Sequence, residues 1–262
     1  MTKARSVSVQ VLASGSSGNC ILIKSEGFNL LIDAGLSGRE LVRRLECANL
    51  APDEVSALVV THEHQDHARG VGVFSRRYGV PVYMNSGTLR VLDVGKLPTV
   101  QTFETGDTLR FAHLTIHTYP VPHDAADPIG LRIENSAWRI GVALDMGYPT
   151  RLVKQRLAGV DLLILEFNHD VQMLRGCNRP WELKQRILSK RGHMSNDAAL
   201  LLLCELMHAR LQAVVLAHIS REANDARFAR GLVSDRLAAL GRTDVRIYAG
   251  DQDQVGREIV LR

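Results

Sequence analysis

The stretch ALVVTHEHQDHARG, residues 57–70, decides how the rest of the chain is read. Its first half is a short apolar run of the kind that forms a buried strand. Its second half places His62, His64, Asp66 and His67 within six positions of one another. If His62 and His64 leave the strand in extended form, their side chains point to the same side. Asp66 and His67 follow as the chain turns into a helix. Three imidazoles and a carboxylate at a strand end suit zinc, manganese or iron. One tetrahedral ion cannot use all four and keep a position open for substrate, whereas two adjacent ions can. The bland reading, a solvated histidine-rich turn, leaves four ligand-type side chains at one strand end unexplained.

Two ions need more ligands, and the same pattern recurs downstream. YPVPHDAADP puts His123 in a proline-flanked loop after a strand. GVALDMGYP puts Asp145 where another strand stops, and AVVLAHIS does the same for His218. Ligand-type residues at the ends of successive apolar strands are expected to converge.

The surrounding chain reads as α/β. Val7, Val9 and Val11 alternate with Ser6, Ser8 and Gln10, which is a strand pattern and not the continuous apolar stretch of a signal peptide, despite early basic residues. The expectation is a cytoplasmic protein with no membrane partner. The runs CILIK and FNLLIDAG follow as strands, and Ser37 is placed to cap a helix over RELVRRLECA. The middle of the chain is strand-rich: TLRFAHLTIHTYPV, PIGLRIENSAWRIGVALDMG and DLLILEF. Helix and strand then alternate through SNDAALLLLCELMHARL, QAVVLAH, NDARFARGLVSDRLAAL and VRIYA. Strands in front and helix–strand pairs behind predict two sheets covered by helices, not one doubly wound sheet. With 262 residues, no long linker and no internal repeat, residues 1–262 are read as one domain.

Composition adds limits. Hydrophobic residues make up 45% and charged residues 23%, as in ordinary globular proteins. The net charge of +4 permits a polyanionic partner without demanding one. Cys20, Cys47, Cys177 and Cys204 are scattered, with no C-x-x-C pair, so a cysteine-based zinc site is not expected.

The order H-x-H-x-D-H, then a distant His, an Asp and a last His, together with the early LLIDAG containing Asp33, resembles the metallo-β-lactamase superfamily along essentially the whole chain. The resemblance implies a four-layer αβ/βα sandwich, two mixed sheets flanked by helices, with two divalent ions, Zn2+ or Mn2+, at one edge. It puts His62, His64 and His123 on one ion and Asp66, His67 and His218 on the second, with Asp145 bridging. Such a pair can lower the pKa of a bound water to about 7 and clamp the attacking and leaving oxygens of a phosphodiester. The same centre can also hydrolyse thioesters or lactams, so substrate must be argued from other residues.

The segments SGSSGNC, LEFNHDVQML and GHMSNDAA resemble the YycJ/WalJ-type branch of that superfamily, whose members look like 5′→3′ DNA exonucleases. Ribonuclease Z, a more distant relative, also has a Glu on the strand after the bridging Asp and a His before the last ligand. Here Glu166 and His193 occupy those places. The resemblance implies a pair that protonates the leaving oxygen, with Asp66, Glu166 and His193 forming the catalytic set. A helix start next to His193 disfavours imidazolium and a nearby carboxylate restores the proton, which would leave the ring poised near neutrality. The bland readings are a paired strand-end carboxylate and a helix-start histidine.

From Val171 to Gly192, Arg175, Arg179, Lys184, Arg186, Lys190 and Arg191 face one acid, Glu182. This is either an electrostatic footprint for a phosphate backbone or a solvated helix face. Trp181 either stacks on a base or belongs to the core. Ser17 and Asn19, in the SGSSGN turn, either meet a terminal phosphate or close a hairpin. Arg175, Trp181, Lys184, Arg186, Ser17 and Asn19 are candidate substrate contacts. Asn168, His169, Ser195 and Asn196 join them from the branch motifs, and no role follows for His169 or Asp170. His113, His117 and His208 read as packing or surface residues. The chain is too short between Asp145 and His218 for the inserted domain of the β-CASP nucleases, and no long arm for transfer RNA is evident. The implied partner is nucleic acid, DNA ahead of RNA. The alternatives are a ribonuclease Z-like or small-molecule phosphodiesterase, a glyoxalase II-like thioesterase, and a non-catalytic nucleic-acid-binding module.

Overall fold

A computed structural model describes residues 6–111 and 113–261; the early basic residues Lys3 and Arg5 lie outside them. The chain divides into two compact units. The first comprises residues 1–105, 125–128 and 251–262, the second residues 106–124 and 129–250.

The first unit holds β1 (Val7–Ala13), β2 (Cys20–Ser25), β3 (Phe28–Ile32), β4 (Ala57–Val59), β5 (Val82–Asn85) and β6 (Val100–Phe103). The C-terminal strand, β14 (Ile259–Leu261), completes a sheet of order β14-β1-β2-β3-β4-β5-β6. Neighbours from β14 to β3 run antiparallel, and those from β3 to β6 run parallel. Helices α1 (Gly38–Cys47), α2 (Gln65–Ala68), α3 (Val71–Tyr78) and α4 (Ser86–Val91) belong to the same unit. Ser37 caps α1 as the sequence predicts, its side chain accepting from the Glu40 N–H. Leu41 and Leu45, one turn apart on α1, are buried with Leu22, Leu31 and Leu58 of the sheet.

The second unit repeats that plan without repeating the sequence. Its strands are β7 (Thr108–Phe111), β8 (Leu114–Pro120), β9 (Ile129–Glu134), β10 (Arg139–Ala143), β11 (Leu162–Glu166), β12 (Ala213–Ala217) and β13 (Arg246–Ala249), paired in chain order. Antiparallel pairing from β7 to β10 gives way to parallel pairing from β10 to β13. Its helices are α5 (Arg151–Leu157), α6 (Val171–Gly176), α7 (Trp181–Leu188), α8 (Asn196–Glu205) and α9 (Ala226–Ala239). The runs Leu162–Leu165 and Ala213–Ala217 are buried on both faces, as a central parallel strand must be. The two mixed sheets with their helices are the architecture expected from the sequence. One boundary differs: α8 stops at Glu205. Beyond it the chain turns, with the Leu211 N–H donating to the His208 carbonyl and His208 Nε2 bonded to the Val160 carbonyl.

Among the described residues no helix is long and apolar enough to cross a membrane. All four cysteines are free.

Candidate active site

In the first unit the site is built at the C-terminal ends of β3 and β4, which run parallel and so deliver their following residues to one edge. Crevices at that edge are where α/β sheets place their ligands. Asp33 follows β3 directly and is left-handed, at φ +60°. Its carboxylate accepts from the Thr61 N–H (2.8 Å), the Thr61 hydroxyl (2.9 Å) and His67 Nδ1 (2.7 Å). Because the Thr61 hydroxyl donates to Asp33, its oxygen is left to accept from His62 Nδ1, at 3.1 Å. One buried carboxylate therefore sets two tautomers, leaving Nε2 the unprotonated nitrogen of both His62 and His67. The His62 ring centroid lies 4.7 Å from that of His64 and 4.1 Å from that of His67. Asp66, on α2, completes the group.

Asn19 is not free for a substrate phosphate. It is buried, its Oδ1 accepts from the Gly15 N–H, and its Nδ2 donates to His67 Nε2 (2.9 Å) and Asp66 Oδ2 (3.3 Å). It holds the turn SGSSGN against α2. Ser17, on the same turn, is exposed. Gly35 of LLIDAG is required for this approach, since a Cβ there would sit 1.7 Å from the Asp66 carbonyl oxygen.

In the second unit the site residues come from five places in the sequence. Asp145, Glu166 and His218 lie at the C-terminal ends of β10, β11 and β12, which run parallel in register. His123 follows β8, which runs in the same direction as β10. His193 arrives on the segment before α8. That segment lies alongside the extension of β11, with the Asn168 N–H donating to the Met194 carbonyl and a bridge joining His169 to Ser195. Asp145 and His218 are left-handed, at φ +50° and +52°. Among the described residues, three of the five non-glycine residues with positive φ are thus Asp33, Asp145 and His218, strain concentrated where side chains must turn sharply off strand ends.

Glu166 is fully buried at the centre of this group. Its Oε2 accepts from the N–H groups of Met146 (3.0 Å) and Met194 (3.2 Å), and its Oε1 from His193 Nδ1 (2.7 Å) and His218 Nδ1 (3.1 Å). Burial would raise this carboxyl, but the two imidazoles hold it below the ordinary glutamate range. Burial likewise opposes charge on His193, yet Glu166 and then Asp145 raise its pKa above the ordinary value. The ring is thus biased toward imidazolium and not left poised by a helix start: Ser195, two residues on, is the cap of α8. His218 Nδ1 also lies against Asp145 Oδ1. His123 Nδ1 donates to the Gly192 carbonyl at 3.1 Å, leaving Nε2 as its unprotonated nitrogen. The His193 ring centroid is 5.1 Å from those of both His123 and His218.

Ligand atoms of Asp145, Glu166, His193 and His218 lie within 4.8 Å of one another. The glutamate's oxygens are already engaged by two amides and two imidazoles, which suits an orienting carboxylate better than a ligand. In both units the donor chemistry of imidazole and carboxylate fits divalent ions such as zinc or manganese.

Several expected substrate contacts are corrected. Lys184 is buried and its Nζ donates to the carbonyls of Arg175 (2.8 Å) and Cys177 (2.6 Å), capping the end of α6. Asn196 is buried and exchanges amide hydrogen bonds with Asn224. Ser195 accepts from the Ala198 N–H as a helix cap. Asn168 Nδ2 donates to the His218 carbonyl and so positions that residue. Arg186 is paired with Asp124, and Arg179 with Glu222. Arg175 and Lys190 are exposed, and neither side chain has an ionic partner among the described residues. Trp181 is 57% exposed at the start of α7, so it is not a core residue.

His169 is buried with neither ring nitrogen hydrogen-bonded among the described residues, and burial pushes its pKa down to about 4, keeping it neutral. Asp170 now has a role: it caps α6, accepting from the Gln172 and Met173 N–H groups. His117 bonds Thr108 and Glu134, away from the site. The sequence reading missed Thr61 and gave Asp33 no partner. The pairing of β3 with β4 is what brings them together.

Residues 28–219 match the β-lactamase superfamily domain. Exodeoxyribonuclease YycJ of Bacillus anthracis is 37% identical over 235 residues, 88% of this chain and 89% of that protein. Exodeoxyribonuclease WalJ of Streptococcus pneumoniae is 37% identical over 256 residues, 93% of this chain and 94% of that one. Among solved structures, the metallo-β-lactamase fold protein YhfI from Bacillus subtilis superposes with a TM-score of 0.75 at 16% identity, covering 98% of this chain and all of its own. The short form of human tRNase Z gives 0.66 at 15% identity, covering 97% and 98%, a likeness of fold alone. The chain belongs to the metallo-β-lactamase superfamily and is a hydrolase related along most of its length to the YycJ and WalJ proteins.

Proposed function

We propose that the protein is a metal-dependent nuclease that removes nucleotides from DNA ends, in the 5′→3′ direction implied by its resemblance to the YycJ/WalJ branch. The observation that carries the reading is the Glu166–His193 hydrogen bond of 2.7 Å among His123, Asp145 and His218. Relatives named exodeoxyribonucleases over about nine-tenths of the chain point the same way.

The two units act as one domain in this reading. His62, His64, Asp66, His67, His123, Asp145 and His218 would be the residues that hold two divalent ions. When bound, such ions supply an activated water and take up charge developing on the phosphate. The chain's own residues do the rest. Asp33 and Thr61 fix the tautomers of His67 and His62. Met146 and Met194 amides hold the Glu166 carboxylate still. Glu166 holds His193 by Nδ1 and favours its protonated form, so that Nε2 gives its proton to the leaving oxygen. A thioesterase releases a thiolate that needs no such donor, which favours a phosphodiester over a glyoxalase II-like substrate.

Incubation with end-labelled duplex DNA, with RNA of the same sequence beside it, in manganese or zinc tests the proposal. Nucleotide release from DNA is expected. No release in any divalent metal removes the DNA reading, and a preference for RNA turns it toward a ribonuclease.

A further inference from the structure

Tyr148 is an aromatic residue the proposed chemistry does not use, and it is 45% exposed. The loop that carries it is fixed at each preceding residue. Asp145 is left-handed, the Met146 N–H donates to Glu166, and the Gly147 N–H donates to the Pro122 carbonyl. Gly147 is pressed against the segment leading to His193: a Cβ there would lie 2.4 Å from the Lys190 carbonyl carbon and oxygen and 2.7 Å from the Ser189 oxygen. Tyr148 therefore emerges where three loops of the second unit meet, those bearing His123, Asp145 and His193. Two cations stand on the same junction. Lys190 is exposed with no ionic partner among the described residues, and Arg191 is anchored by its Nε to the His123 carbonyl at 3.0 Å.

An exposed ring on an immobilised loop, next to basic groups and a proton donor, has the parts of a nucleotide platform. Aromatic faces stack on any base, and cations beside them take the backbone phosphates. We propose that Tyr148 stacks on the base of the terminal nucleotide, with Lys190 and Arg191 facing its phosphates. The base that stacks is then an unpaired one, at an overhang or a frayed duplex end, because a paired terminal base already stacks within its duplex. This rests on the nuclease reading and names the form of DNA end it takes.

The test compares wild type, Tyr148→Ala and Tyr148→Phe on end-labelled oligonucleotides whose terminal nucleotide carries adenine or is abasic, at each end in turn. Wild type and Tyr148→Phe are expected to show about tenfold lower KM for the base-bearing end. In Tyr148→Ala that ratio should fall to about one. A ratio of one in wild type, or an unchanged ratio in Tyr148→Ala, overturns the proposal while leaving the nuclease reading intact. If wild type digests nothing, the nuclease reading fails and a binding measurement decides on Tyr148. A terminal 2-aminopurine, titrated in EDTA, should be quenched by wild type and Tyr148→Phe but not by Tyr148→Ala. Equal quenching by all three overturns it.

Discussion

The two units reach similar chemistry by opposite routes. In the first, His62, His64, Asp66 and His67 come from one strand end and the first turn after it, and a single carboxylate, Asp33, orients two of them. In the second, His123, Asp145, Glu166, His193 and His218 come from five separated segments, and Glu166 is the hub. A compact motif needs only local geometry plus one distant partner. A dispersed one needs a parallel sheet in register, because only that brings three strand ends to one edge. The first arrangement suits holding ions. The second adds, in the proposed chemistry, a proton donor whose partner is pinned by backbone amides.

If the division of labour is right, His193→Ala lowers kcat by about 10²- to 10⁴-fold, the range of a lost general acid or base. Metal content, read by elemental mass spectrometry, should not change. Loss of an ion would move His193 into the ligand set and erase the contrast between hubs.

Next in size are the cores. Leu31→Ala in the first unit and Leu165→Ala in the second each remove a fully buried side chain, at a cost of about 2–5 kcal/mol. Calorimetry should show one transition lowered by both if residues 1–262 fold as one domain. Two transitions, each moved by one variant, would separate the units.

Asp33→Asn is expected to weaken metal binding about 10- to 100-fold, as loss of an orienting partner does. Competition with a chromogenic chelator measures it. Unchanged affinity would mean that the tautomers of His62 and His67 are set by something other than this carboxylate. Smallest is Asp170→Ala, which removes the cap of α6 and should cost about 1 kcal/mol in a urea midpoint. A large loss of turnover instead would tie Asp170 to the chemistry beside His169.

The readability of the chain follows the same contrast. The cluster from His62 to His67 and the cap at Ser37 are short-range patterns, and the amino-acid order determined them. Strand-end histidines and carboxylates could be suspected one by one from the apolar runs preceding them. The pairing of Asp33 with His67, 34 positions apart, could not, because it depends on β3 and β4 lying side by side. Charge counting misjudged Lys184 for a related reason. Its ammonium is taken by two carbonyls at the end of α6, and only the helix–turn–helix path shows that those oxygens need a donor. Tyr148 carried no signal in the sequence, since its exposure depends on loops that meet through Gly147 and Lys190. Sequence alone determined the chemical types available and where strands and helices begin. Tertiary structure decided which groups share a proton and which stay free, because hydrogen bonds act over about 3 Å whatever the separation along the chain.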